Sequence, residues 1–311
     1  MKVVSYKNVV PGKNNSFEKN AILTNFVVGV KAVGDEGIAY DGYGLVDCDV
    51  AVIQGWQHTK GKGGAHLQLR QRVTEHQISK NKYVITADSN LFLYANKANT
   101  PYHYLRYSIN GVFPNTGIYC DDSPDPRRWQ QISNDTGIVL KDYKNKGKNI
   151  LLCLQRNGGW SMSGYDVQDW VIDTVKKIRK YSDRPIVVRP HPGDKKAVEY
   201  LSHRYNRIKN LPNVRLSEFG KPLEADLHKC WAVVNHNSSS IVGPIIQGHH
   251  AYITDPIRSQ CAEVSHDHFK DIEKPKEFDR QQWLERISMF HWNFNELRNG
   301  SCWAHMRDYC K

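Results

Sequence analysis

The sequence predicts an α/β protein built from two Rossmann-like halves, and three observations carry that reading. First, short β-branched runs end in polar and Gly/Pro clusters: Pro185-Ile186-Val187-Val188 runs into Arg189-Pro190-His191-Pro192-Gly193-Asp194, and Trp231-Ala232-Val233-Val234 into Asn235-His236-Asn237-Ser238-Ser239-Ser240. Such runs read as buried strands of a parallel sheet. Second, residues 46–87 follow a strand–loop–helix–strand order, with a strand over 46–54, a helix over 67–80 and a strand over 82–87. Third, 311 residues with 40% hydrophobic content suit two cores of ordinary size.

In chain order, residues 22–33 suit a strand leading into a helix start, and Gly55-Trp56 closes the 46–54 strand. His58 to Gly64 then reads as a mobile basic loop. Neither a dinucleotide fingerprint nor a Walker motif is met in this half. Residues 102–129 read as one long loop carrying Asp121, Asp122, Asp125, Arg127 and Arg128, and loops of that length are often functional. Residues 141–148 are polar and Gly-containing and read as an inter-domain linker.

The second half opens on a strand over 149–154, with Gln155-Arg156-Asn157-Gly158-Gly159 as a Gly loop at its end. Residues 166–181 place Val167, Trp170, Val171, Thr174, Val175 and Ile178, apolar but for the threonine, at the spacing of a helix face, with acids early and bases late. A short strand at 213–217, a helix at 223–230, a short helix at 241–248 and a strand at 251–256 follow. Residues 279–311 read as terminal helices punctuated by Asn299-Gly300.

Charge narrows the partners. Lys plus Arg number 43 against 32 acids, a net charge of +11 and a pI near 9.2, which suits a polyanionic partner. Residues 51–120 hold eight Lys/Arg and two acids, interleaved with Trp56, Phe92, Tyr94, Tyr102, Tyr104 and Tyr107. Cations for phosphates and rings for bases suit nucleic acid. The DNA-facing candidates are Trp56, His58, Lys60, Lys62, Arg70, Arg106, Arg127 and Arg128. Residues 176–209 add eleven Lys/Arg against three acids.

Seven scattered cysteines without a CxxC pair suit reduced thiols, and no stretch has the apolar length of a signal peptide core or a membrane span. The expectation is a cytoplasmic protein. His249-His250 and His266-x-His268 lack the further ligands that would complete a metal set, so no metal is expected.

The serines after the 231–234 strand, with Arg189 and His191 after the 185–188 strand, have the chemistry of an anion site: hydroxyls, a cation and an imidazole at strand carboxyl ends. The pair "RPHP" and "NSSSIVGPIIQGHHAYITD" resembles the donor half of GT-B glycosyltransferases. The likeness is to the capsule-type Kdo transferases and polysialyltransferases and their glycerophosphotransferase relatives, and it covers roughly residues 148–260. It departs from them in lacking an acidic residue after the serines. The resemblance implies two Rossmann-like domains facing a cleft, over 1–148 and 149–278, with terminal helices over 279–311 crossing back to the first. It implies donor ligands at Gln155, Arg156, Gly158, Arg189, His191, Ser217, Ser238, Ser239 and Ser240. The co-substrate is a nucleotide sugar, UDP-linked by preference and CMP-linked as the alternative, with no bound cofactor.

The catalytic residues expected on this basis are His191 and a carboxylate base, Asp88 first and Asp122 in reserve, since an inverting transferase holds its base at a strand-end loop. The first half also weakly resembles bacteriophage DNA-modifying glycosyltransferases, in the Trp56 loop, Asp88 and Asn110-Gly111. With the basic charge, this makes double-stranded DNA containing 5-hydroxymethylpyrimidine the preferred acceptor. A capsule or cell-wall glycan is the alternative, reached by sugar or glycerophosphate transfer. A non-catalytic nucleic-acid binder is the other class of reading.

Overall fold

The computed structural model describes residues 1–10, 16–56, 63–88, 90–92, 104–201 and 204–311; the side chains of 16–19 and of Trp160 stand outside the description. The chain forms two compact units: residues 1–138 with 284–311, and residues 139–283.

The first unit opens with β1 (Lys2–Tyr6), α1 (Ser16–Ala32), β2 (Glu36–Tyr40), β3 (Val50–Gln54), α2 (Ala65–Ser79), β4 (Tyr83–Asp88), β5 (Leu105–Ile109) and α3 (Pro126–Thr136). The expected strand at 22–33 is helical. Ile22, Leu23, Phe26, Val27 and Val30 are buried at a spacing only a helix can bring to one face. The 102–129 stretch is not one loop. Leu105–Ile109 pairs antiparallel with β4, and Asp125 caps α3 by accepting the Arg127 N–H, with Pro126 at the first helical position.

The second unit contains β6 (Asn149–Cys153), α4 (Val167–Ile178), β7 (Ile186–Arg189), α5 (Ala197–Tyr200), β8 (Val214–Leu216), α6 (Leu223–Leu227), β9 (Cys230–Asn235), α7 (Val242–Ile246) and β10 (His250–Ile253). Its strands lie in the order β10-β9-β6-β7-β8, all parallel. Numbered within the unit and read from β8 this is 3-2-1-4-5, and the chain reverses direction across the sheet between β6 and β9. Strands covered on both faces should be apolar throughout, and Ile150, Leu151, Leu152, Val233 and Val234 are all buried. Helix α4 starts where Asp166 accepts from the Gln168 and Asp169 N–H groups, and buries Val167, Trp170, Val171, Val175 and Ile178.

Residues 141–148 are not a free linker. Their backbone bonds to this unit at three points: Lys141 N to Ile246 O (2.9 Å), Lys144 N to Gly248 O (2.7 Å) and Lys148 N to Lys229 O (2.9 Å).

The chain ends with α8 (Arg280–Ser288), β11 (His291–Trp292), α9 (Phe294–Asn299) and α10 (Ser301–Arg307). From Leu284 within α8 onward this tail belongs to the first unit, whose sheet runs β11-β5-β4-β3-β1-β2, with β1 to β4 parallel. Helix α9 is closed at both ends: Asn293 and Glu296 form a reciprocal capping box, and Gly300 ends it at φ 89°. Gly29 of α1 passes so close that a Cβ there would lie 1.9 Å from Leu297 O.

Candidate functional site

In a doubly wound sheet the loops after the parallel strands gather at one edge, and ligands lie there beside the strand-order reversal. In the second unit that edge carries the loops after β6, β7, β8 and β9, and four groups of polar residues meet on it.

Between the ends of β7 and β8 lies a cavity of about 440 Å³, lined on one side by Arg189 to Pro192, Asp194 and Lys195, and on the other by Glu218 to Pro222. That volume is in the range of small-molecule sites. Under it Asp226 is gripped by Ser217 Oγ (2.6 Å), Arg189 Nη1 (2.8 Å) and Lys221 Nζ (3.3 Å). Burial alone would raise the Asp226 carboxyl, but these donors outweigh it and hold the group below the usual carboxylate range.

His191 Nδ1 accepts the Gly193 N–H at 3.0 Å. The imidazole proton therefore sits on Nε2, which leaves an N–H donor on a residue lining the cavity. Burial lowers the His191 pKa, the Arg156 charge lowers it further, and Asp194 opposes both. The ring is a neutral donor at pH 7, not a cation. Arg156 is exposed, and its guanidinium packs where a Cβ on Gly193 would stand, 2.6 Å from that position.

At the reversal between β6 and β9, Gln155 and Asn237 bind each other twice: Gln155 Nε2 donates to Asn237 Oδ1 (2.9 Å), and the Asn237 N–H donates to Gln155 Oε1 (3.2 Å). Asn237 Nδ2 also donates to Ser161 O (3.1 Å) and Asp255 Oδ2 (2.8 Å). Asp255 in turn holds Arg258 Nε at 2.6 Å, and Arg258 Nη1 reaches Ser163 Oγ at 2.5 Å. One asparagine thus ties together the loops after β6, β9 and β10. Next to it, His236 shares a 2.8 Å hydrogen bond between Nδ1 and Thr254 Oγ1.

Several donor-side expectations change in detail. Ser217 is not a reader at the cavity: its N–H goes to Val188 O and its hydroxyl to Asp226, and Glu218, Phe219 and Gly220 line the wall instead. Ser238 spends its hydroxyl on capping a one-turn helix, accepting from Ser240 N (3.2 Å) and donating to Ser240 Oγ (3.0 Å). The helix after the serines is only five residues long, so its dipole is small. Gly158 stands at φ 70° in a turn whose Asn157 N–H bonds Asp194 Oδ2. The cavity takes in Arg189 and His191, while Gln155 and the Ser238–Ser240 run sit at the adjacent strand ends.

In the first unit the structure overturns three of the proposed DNA contacts. Arg70 is 7% exposed, donates from Nε to Val9 O (2.9 Å), and is pushed down to about 10 by burial, which Asp88 partly offsets. Arg106, 5% exposed, pairs with Asp88 across the β4–β5 register. Arg128 is buried against Glu296, the carbonyl of His291 and the ring of Trp292. Their charges hold the fold together. Phe92, Tyr104 and Tyr107 are fully buried, so they are core residues and not stacking platforms.

Arg127 is on the surface, in a bidentate pair with Asp125, and Trp56 is half-buried. His58, Lys60, Lys62, Tyr94 and Tyr102 lie outside the described residues. Asp88 does stand at the carboxyl end of β4, in its pair with Arg106. Asp122 does not stand at such an end. Ile118 pairs with Ile109 near the start of β4, and Asp122 follows on that side as a solvated carboxylate bound to Arg286 (2.6 Å). Three of the four histidines considered for metal are packed in the second unit, His249 on Lys144, His250 on Tyr143 and His266 on Tyr252, while His268 is exposed.

No protein-family model matches the chain, and no curated protein sequence does. Solved structures do. Two units with Rossmann-like, parallel-rich sheets and a tail returned to the first define the GT-B-like α/β class. Within that class the chain is similar to KpsC of Thermosulfurimonas dismutans, a β-Kdo 2,4 transferase. The TM-score is 0.58 at 12% identity, over 96% of this chain and 98% of that one. The UDP-GlcNAc 2-epimerase of Methanocaldococcus jannaschii, solved with UDP-GlcNAc and UDP, aligns at a TM-score of 0.32 and 13% identity over 97% and 83% of the two chains.

Proposed function

We propose that this protein is a glycosyltransferase that binds a nucleotide sugar on the second unit and transfers the sugar to a hydroxyl of a glycan. The observation that carries it is the cavity at the ends of β7 and β8, set one strand from the Gln155–Asn237 knot. In this kind of sheet the nucleoside lies over the second and third strands and its phosphates lie toward the first. Phe219 and Pro192 offer flat apolar surface to a base, and Phe219 is 43% exposed at the cavity wall. His191 Nε2–H and Arg156 supply a donor and a cation for phosphate oxygens. These groups stabilise a departing phosphate as charge grows on it. Asp88 remains the base we favour, since it alone of the two candidate carboxylates stands at a strand carboxyl end.

Two findings move the acceptor from DNA to a glycan. Three of the four arginines expected to meet DNA phosphates, Arg70, Arg106 and Arg128, are inside the first unit, and the fold likeness is to a transferase of Kdo. A panel of UDP-, CMP- and GDP-sugars, offered with oligosaccharides and with DNA containing 5-hydroxymethylcytosine, tests this by mass spectrometry of the products. A sugar mass gained by an oligosaccharide supports the reading. A sugar mass gained by the DNA nucleoside replaces the acceptor. Absence of transfer and of nucleotide release with every donor overturns the proposal.

A further inference from the structure

The amino ends of the second unit's strands form the edge opposite the ligand edge, and this edge is cationic in a specific way. Lys148 N and Asn149 N both bond Lys229 O, joining the starts of β6 and β9. Arg184, just before β7, donates to Gly147 O (2.8 Å). Lys141 and Lys144 bond along the chain that leads into β10. The starts of adjacent strands thus bring Lys141, Lys146, Lys148, Lys180 and Lys229 to one edge, all exposed. None of the five makes a side-chain hydrogen bond or ion pair within the described residues.

The two arginines of the same edge are already occupied. Arg184 stacks on Trp231 (4.1 Å) and pairs with Glu273, and Arg179 donates to the carbonyls of Ser182, Arg184, Pro212 and Asn213. Exposed carboxylates here are Asp142, Asp183 and Glu277, the last beside Tyr143 and His250 at the start of β10, and the flanking 270–274 loop adds as many acids as lysines.

We infer that this edge is a docking surface for an anionic lipid bilayer. Strands about 4.8 Å apart spread the lysines over roughly 15 Å from β10 to β7. That is a field of flexible point charges with no fixed fork among them. Base or phosphate readout in nucleic acids leans on arginine forks and stacking rings, and here the arginines are spent. Anionic headgroups ask only for net positive charge near a surface. Tyr181, 43% exposed beside Lys180, is an amphipathic ring of the kind that settles at a headgroup layer. Docked this way, the ligand edge faces away from the lipid, about 17 Å off across five-residue β6. This inference does not depend on the transferase reading.

The test is co-sedimentation of the full chain with vesicles of phosphatidylcholine alone and of phosphatidylcholine mixed with phosphatidylglycerol. Each lysine near an anionic surface contributes about a fivefold gain in partitioning. The triple variant Lys146→Glu/Lys148→Glu/Lys229→Glu should therefore bind the mixed vesicles at least about a hundredfold more weakly. Its thermal melt checks that it folds. Lys31→Glu, an exposed lysine of α1 in the other unit, should bind as the parent does. Parent binding to mixed vesicles that is absent on phosphatidylcholine, lost in the triple variant and kept in Lys31→Glu, supports the inference. Failure of the parent to bind mixed vesicles at low salt overturns it. Equal loss in Lys31→Glu, or binding to duplex DNA without binding to vesicles, overturns it too.

Discussion

The Gly193 N–H donates to His191 Nδ1 at 3.0 Å, and that bond determines what the imidazole can do. It leaves Nε2 as a donor on a residue that lines the β7–β8 cavity. The turn depends on the neutral ring, because a protonated Nδ1 cannot accept the Gly193 N–H.

Replacing His191 removes one hydrogen bond to a charged ligand, a contribution of about 1.5–3 kcal/mol. His191→Ala should bind the preferred nucleotide about 10- to 100-fold more weakly, with a nearly unchanged melting temperature. Calorimetric titration checks the first, and a thermal scan the second.

Gly193 is needed for what stands beside it. A Cβ at this position would come within 2.6 Å of Arg156 Nη2. Gly193→Ala should push the Arg156 guanidinium aside, so it should weaken nucleotide binding to the same degree as Arg156→Ala. The double variant should be no worse than either single one, because both act through one cation. Additive losses in the titration would contradict that coupling.

Arg128 and Glu296 form a buried ion pair, and Arg128 also carries the His291 carbonyl and lies over Trp292 at 4.1 Å. Removing one member leaves the other charge buried alone. Arg128→Ala should destabilise the first unit by about 3–5 kcal/mol in chemical denaturation, while Arg127→Ala, at 87% side-chain exposure, should change it little.

Acid should loosen both units. Burial lowers His249 and His250 to about 4, helped by the Lys144 charge on the first and His266 on the second. His291 falls to about 3, through burial and the charges of Arg106 and Arg128, against its bond to Ile287 O. Each folded pKa lies below the unfolded value near 6.5, so the unfolded chain binds more protons in between. The stability these neutral rings provide is complete above about pH 6.5 and is lost as pH falls toward 4, by an amount on the order of 3 kcal/mol per histidine. Melting temperature against pH reads this directly. A melt that holds flat from pH 7 to 4 would contradict it.

The second unit was more legible in the sequence than the first. Its β7 and β9 are β-branched runs that end in Arg189-Pro190 and Asn235, and a parallel sheet makes them apolar because both faces are covered. The 166–181 helix could be seen because its apolar spacing, its Asp166 cap and its late lysines agree. In the first unit, Ile22 to Val30 is ambiguous in sequence, because a short apolar stretch fits either period. Here the buried set Ile22, Leu23, Phe26, Val27 and Val30 decides for the helix.

Arginine was the larger difficulty. Composition counts Arg70, Arg106 and Arg128 as surface cations, while packing turns each toward a carbonyl or carboxylate that is distant in sequence: Val9, Asp88 and Glu296. In the second unit, the RPHP and Asn-Ser motifs do stand at the carboxyl ends of β7 and β9, but the side-chain partners there have no signal in the sequence. Asn237 lies inside the quoted motif, yet its partners Gln155, Ser161 and Asp255 come together only through the strand order. Phe219 and Lys221 carry no spacing that a sequence reading could use.

The central claim is that the ligand edge of the second unit holds a nucleotide, and calorimetric titration with UDP, CMP, CDP and GDP tests it most directly, on the parent chain, His191→Ala and Phe219→Ala. The account predicts saturable binding of one of these nucleotides to the parent, weakened in His191→Ala, and weakened in Phe219→Ala by the loss of base stacking, about 1–3 kcal/mol. No heat with any of the four, or equal affinity in all three proteins, would contradict it.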